Sequence, residues 1–413
     1  MNTTLLNSLL HQIQKKNWNN LKLSQVSGVY KTDISRILNN KKPISLLNLD
    51  AFTRAFELPE DTFYSYYIKE CFHENGYLSK SRGRDFLYKC AEKEYEEPLQ
   101  KLLNTLLQER SKPILTKNLN FVFSVAESLF FNGKEKQSLP LYEIIIESMP
   151  NHFSEQVAIS YFRKFYLVRG TEEEQQAIAL VLKHIPYMPN EFQQLSYVWI
   201  SAVYHHREQW DKSLHYAKIL EKTAKEGTWY AEALVLQAFA LRRVNGTLNE
   251  VLELIDRSAQ ASDYHAKHAL GNRLITYMEF ERLEYLDQFI SWYEGSHYIF
   301  LGLPYMLEGL LKTARIEDAR HLLNRFQHII KELPNSDQPS RIRSYLHFRH
   351  AHALYRCARN ELNEGLHELL DVANKALELG NLSRFKKCLQ SYWNYKNHIT
   401  IEHEKKFTQL LSL

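Results

Sequence analysis

At 413 residues the chain is long for one compact core, and a balance of 44% hydrophobic to 24% charged residues excludes a disordered polymer. Thirteen glycines and eleven prolines are too few turn formers for a sheet-rich protein of this size, so the composition points to an all-α chain. The net charge of +4 is unevenly spread: residues 1–56 carry eight Lys and Arg against two Asp, a net of +6, leaving −2 for the rest. A small basic tip on a near-neutral body is the asymmetry expected where only the tip meets a polyanion.

The opening MNTTLLNSLLHQIQKK lacks the basic-then-apolar pattern of a secretion signal. No window approaches the roughly 18 apolar residues that span a bilayer, so no membrane partner is expected. The first helix is predicted over Thr4 to Lys16. Asn19 is placed to cap a second, Asn20 to Ser27, with Leu23 and Val26 turned inward and Ser24 small where two helices approach. Gly28 permits the positive φ that ends it, and Val29 supplies a buried turn residue. The third helix reads TDISRILN, with Ile34, Ile37 and Leu38 on its inner face and Lys31, Thr32, Asp33, Ser35 and Arg36 on its outer one. Asn39, Asn40, Lys41 and Lys42 follow, placed to touch phosphate rather than bases. Pro43 and Ser45 introduce a fourth amphipathic helix, SLLNLDAFTRAF. One more helical pair of the body is the competing reading; it does not account for charge gathering on the one face left exposed.

Residues 75–86, NGYLSKSRGRDF, mix Gly, Ser and basic residues between two helical patterns and are read as a boundary: domain 1–72, linker region 73–85, helical domain 86–413. Beyond it, polar turns recur near Gly133, Gly170, Gln209, Gly246, Arg282, Arg315 and Asn360, at intervals of 33 to 45 residues. That period is produced by stacked helix–turn–helix units, none of which can bury its apolar face alone. The clearest unit, Leu195 to Ala224, has Ser201 and Ser213 as small contacts and Tyr197, Ile200 and Tyr204 as fillers. A second starts at Leu303, with Leu310 filling and Ala319 small. Lys331 to Arg341, with two prolines, is expected to be irregular. Cys71, Cys90, Cys357 and Cys388 sit at no metal or redox spacing and are read as reduced thiols of a cytoplasmic protein. His347, His350 and His352, and the pair His205–His206, lack the carboxylate or Cys that would complete a metal set, so no metal site is expected. No phosphate loop, nucleophile elbow or catalytic carboxylate pair stands out, and neither enzyme activity nor a cofactor is expected.

The segment L-S-x-x-S-G-V-x-x-x-x-I-S-R-I-L-N-N-K-K-P, followed by an amphipathic helix ending FEL, resembles the Cro/repressor-like helix-turn-helix family over roughly Leu5 to Leu58. Two positions depart from it. Tyr30 stands where the family has a capping Ser or Thr, and Asn40 replaces a Gly. With a tetratricopeptide-like array behind it, the whole chain is similar in architecture to the RRNPP group of cytoplasmic peptide-pheromone receptors, and most like the arbitrium (AimR-type) receptors of temperate phages. The resemblance implies an all-α chain, a helix-turn-helix domain followed by a right-handed tetratricopeptide-like superhelix. It further implies a homodimeric regulator of lysis and lysogeny in the bacterial cytoplasm, with a double-stranded DNA operator and a short signalling peptide as partners. C-terminal helices, about 383–413, would carry the dimer contact. The DNA contacts implied are Asn20, Lys31, Thr32, Asp33, Ser35, Arg36, Asn39, Asn40, Lys41 and Lys42. Extending the register of Tyr204 through the units puts His205, Arg242, Asn272, Glu308, Arg349 and Arg356 near the inner groove, where Asn would hold peptide backbone and Arg a carboxylate. Two alternatives stay open: a module that binds response regulators or other proteins, and a dimeric repressor without a peptide.

Overall fold

Helical periodicity is realised along the chain. The computed structural model describes residues 3–336 and 338–412; Met1, Asn2, Asp337 and Leu413 lie outside the described residues. These hold twenty-four α-helices, five short 3-10 helices and an isolated bridge between Phe72 and Leu78, with no strand. None of the described helices is long and apolar enough to cross a membrane. The chain forms two compact units, Met1–Pro189 and Asn190–Leu413.

The first four helices run Thr3–Lys15, Asn20–Ser27, Lys31–Leu38 and Leu46–Ala55. Asn19 Oδ1 accepts from the Lys22 amide at 2.9 Å, and Gly28 ends the second helix at φ 74 with its N–H on Ser24 O. Leu5, Leu9, Leu23, Ile34, Ile37 and Phe52 are fully buried, joined by Val29 in the turn. Val26 departs from its expectation. It is 45% exposed although it lies one turn along the same face from the buried Leu23. Leu38 is only half-buried.

The stretch expected as a linker is folded. Lys80–Glu92 is helical, and the Phe72–Leu78 bridge ties down the loop before it. Arg82 Nη2 donates to Phe72 O at 3.1 Å, and its Nε donates to Glu70 O. Gly83 marks a close approach inside a helix, not a break: a Cβ there would lie 2.9 Å from Leu78 Cδ1. Leu46–Ala55 is buried on several faces, so one core runs from Leu5 to Val157. Asp50 crosses this junction, accepting from Tyr64 Oη at 2.8 Å and Lys89 Nζ at 2.6 Å, while Lys89 also holds Glu60.

All seven expected turns fall between helices. Six share one closure, in which an N–H reaches the carbonyl five residues back: Lys134 to Leu129, Gln209 to Tyr204, Gly246 to Leu241, Arg282 to Tyr277, Arg315 to Leu310 and Glu361 to Arg356. This is the Schellman arrangement, which needs positive φ one residue earlier. Gly133 supplies it once; Glu208, Asn245, Glu281, Ala314 and Asn360 supply it elsewhere, which is how so few glycines suffice. Within the second unit, Asn190–His206 and Trp210–Ala224 touch through Ser201 and Ser213, whose Oγ atoms lie 3.2 Å apart with both side chains fully buried. Leu303, Leu310 and Ala319 are buried as their spacing predicts. The irregular stretch is shorter than expected, since Gln327–Glu332 and Pro339–Ala358 are helical on either side of it.

Candidate functional site

Two sites can be built from the sequence-predicted residues. The first is the outer face of Lys31–Leu38. Ile34 and Ile37 seal its inner side, which leaves Lys31, Thr32 and Arg36 exposed. Asp33 is not a free negative charge on this face: Lys42 Nζ lies 2.9 Å from its Oδ1. Asn39 Nδ2 donates to Ser35 O at 2.8 Å and to Ser35 Oγ at 3.4 Å, so both side chains are half engaged with the helix end. Asn40 takes φ 56, and the Lys41 amide reaches Arg36 O at 2.7 Å, which folds the Asn39–Lys41 loop back over the helix terminus with all three side chains outward. Asn20 is half-buried in the preceding helix. Tyr30 is 80% exposed and makes no side-chain cap. An exposed cationic helix face with polar side chains and amides at its end is chemically suited to phosphate oxygens and base edges.

The second site is a cavity of about 240 Å³ inside the unit Asn190–Leu413. Of the six residues expected in a groove, Arg242 and Asn272 line it together. The other four do not line it. His205 is buried beneath, its ring 5.7 Å from Phe239 and 5.2 Å from Trp210, and burial first, with Arg343 second, drives its pKa well below the usual imidazole value. Glu308 accepts from His347 Nε2 at 2.8 Å and so stands behind a lining residue. Arg349 and Arg356 lie on another side of the helix Pro339–Ala358, where Arg349 donates to Glu368 at 2.6 Å and Arg356 stands 3.6 Å from the same carboxylate. The side of that helix that meets the cavity carries Arg343 and His347. Six residues advance a helix by about 600°, so Arg349 sits about a third of a turn away from Arg343. One register carried across several units does not keep helix phase from unit to unit.

Arg243, Arg343 and Arg384 join Arg242 in the lining, none of them anticipated. Arg242 and Arg243 converge on one carboxylate, Glu279, which also accepts from Tyr305 Oη. Burial opposes the Glu279 charge, but Arg242 and Arg243 outweigh it and hold its pKa below the ordinary range. Glu208 lies 3.6 Å from Arg384; against burial, Arg384 and Arg343 bring it down to about 2. The lining is also aromatic, with Tyr264, Trp292 and Tyr298 in it. Gly271 makes room for the indole, since a Cβ there would lie 2.3 Å from Trp292. The Arg242–Arg243 doublet and the alternating Arg341 and Arg343 were the available signals, but without a fixed helix register they do not say which guanidinium faces inward.

On the C-terminal helices, Leu382–Asn394 and Ile401–Leu411, the side chains of Trp393, Ile401 and Leu411 are exposed. His347 and His350 both approach Glu308, yet no group of three or more His, Cys, Asp or Glu among the described residues is arranged to hold a metal ion. Compared with known proteins, the chain matches no family model and no curated protein.

Proposed function

We propose that this chain is a DNA-binding transcriptional regulator whose activity is set by a short signalling peptide, in the manner of the arbitrium receptors it resembles. One observation carries the reading: Lys31, Thr32 and Arg36 stand exposed on a helix anchored from behind by Ile34 and Ile37, with Asn39, Asn40 and Lys41 exposed at its end. In the helix-turn-helix reading this helix enters the major groove, its side chains reach base edges, and the loop after it meets the backbone. A single tip making a few contacts binds weakly. Two tips joined in a homodimer make the second contact effectively intramolecular, and Leu382, Trp393, Ile401 and Leu411 are exposed apolar groups on the C-terminal helices that suit that joint. A peptide held in the second unit would act by favouring one dimer arrangement over another.

Fluorescence anisotropy on duplexes drawn from the gene's own upstream region tests this reading. The protein is expected to prefer one fragment over shuffled DNA, and Lys31→Ala with Arg36→Ala to lose that preference while circular dichroism stays unchanged. Equal binding by wild type and double mutant removes the proposal. Capture of a partner protein by both would favour a protein-interaction module instead.

A further inference from the structure

The cavity of the second unit is unusual in its charge. Four guanidinium groups line it, those of Arg242, Arg243, Arg343 and Arg384, and among the described residues they pair with two carboxylates, Glu279 and Glu208, while Glu232 in the lining pairs with His265. Glu279 is shared by Arg242 and Arg243, and Glu208 stands with Arg384. Arg343 has no carboxylate within ion-pair distance among the described residues; its nearest ring contact is Trp210 at 6.0 Å. Arg242 is 96% buried at its side chain, and its Nη1 has no hydrogen-bond partner among the described residues. Unpaired cations in a low-dielectric pocket are costly, and an anion entering the pocket would relieve that cost. Burial, seconded by Arg243 and Arg242 against Tyr305 and Glu208, already holds the Arg343 cation below its ordinary pKa.

We infer that Arg343 receives a carboxylate of a short peptide, with Arg242 contributing its free Nη1 and the adjoining residue of the ligand lying against Trp292, Tyr264 and Tyr298. The inference rests on the peptide reading above and adds the ligand's chemistry to it. A guanidinium presents parallel N–H donors that match the two oxygens of a carboxylate. About 240 Å³ is small for a ligand pocket, room for one end of a peptide rather than all of it. The carboxylate is therefore either the chain terminus or an acidic side chain near it. Asn272, in the same lining, is placed to hold the backbone amide next to that end.

Two probes separate this inference from the reading beneath it. The first is sodium succinate at constant ionic strength, followed by tryptophan fluorescence and thermal stability of the full chain. The second is a randomised hexapeptide pool offered with free and with amidated C-termini, the captured peptides being identified by mass spectrometry. Wild-type protein is expected to respond to succinate and to enrich peptides from the free-acid pool. Arg343→Gln should weaken both responses about tenfold or more, the loss of a charged hydrogen-bonded partner. Arg343→Lys should keep part of the succinate response, and Arg325→Gln, on an exposed pair with Glu294, should behave as wild type. If amidation abolishes capture the carboxylate is the terminus. If the amidated pool still enriches peptides carrying Asp or Glu, it is a side chain. A succinate response without peptide capture keeps the carboxylate site and removes the peptide reading. Peptide capture that Arg343→Gln leaves untouched keeps the peptide reading and overturns the inference. Inorganic phosphate displacing succinate at far lower concentration would also overturn it. A folded Arg343→Lys guards against loss of binding through misfolding of Arg343→Gln.

Discussion

The N-terminal tip and the C-terminal cavity place their charges in opposite ways. On the tip, Lys31, Arg36 and Lys41 lie in solvent over a core of Ile34, Ile37 and Leu23. In the cavity, Arg242 and Glu279 are each only 4% exposed at the side chain and are held by one another. An exposed cation costs little to keep and is free to meet any phosphate, so its charge alone attracts without choosing, and choice has to come from the base edges that the helix reaches. A buried cation is costly unless matched, so it selects the one ligand shape that completes it. The same residue type thus suits a polyanion surface in one unit and a discriminating pocket in the other.

Salt should separate the two most sharply. With about three or four phosphate contacts on each of two tips, DNA affinity should fall about 10³- to 10⁴-fold between about 50 and 200 mM salt. Succinate binding to the buried cluster should change by less than about threefold over the same range, because enclosed charges are poorly screened. Equal salt slopes would break the comparison.

A charge at the junction of the first unit behaves like those of the cavity. Lys89 is 20% exposed at its side chain and bridges Asp50 and Glu60, so Lys89→Met should cost about 3 kcal/mol by urea unfolding. Lys16→Met, which removes a bond to the 83% exposed Glu57, should cost less than about 0.5 kcal/mol.

Acid should loosen the second unit. Burial foremost, then Arg384 and Arg243, hold His347 at about 4 against the opposing pull of Glu308, below the ordinary 6.5. The unfolded chain therefore binds more protons between those values, and stability is lost as pH falls from about 6.5 toward 4, about 2 kcal/mol of it by pH 5. Glu208, at about 2, adds a second loss once pH falls below its ordinary 4.5. Tryptophan-monitored urea midpoints at pH 7.5 and 5 read the first step, since five of the six tryptophans belong to this unit, and His347→Gln should flatten it.

The smallest effects belong to the tip's backbone. Gly28→Ala meets no atom within 4 Å, so the cost is the positive φ of 74 alone, about 1 kcal/mol. Tyr30→Ser should supply the missing cap and raise stability by up to about 1 kcal/mol, seen as a higher melting temperature.

Much of the tip was legible in sequence because its rules are local. Asn19 caps, Gly28 turns and Ile34 and Ile37 bury within a few residues of where they stand, and an eight-residue helix leaves no room for register to drift. Helix pairs and their turns were legible for the same reason, down to Ser201 on Ser213. Val26 is exposed and Lys80 to Asp85 is helical, against expectation, and Gly83 sits inside that helix because its missing side chain leaves room for Leu78. The cavity was the least legible. Residues from several helices, among them Arg242, Asn272, Arg343 and Arg384, meet there, and a rotation of a third of a turn exchanges Arg343 for Arg349. Composition and short-range pattern determined that this chain is helical, where it turns and which end carries surplus positive charge. Which guanidinium groups share a carboxylate, and which is left without one, was decided only when the helices packed, because pairing at 3 Å depends on helix phase across the unit.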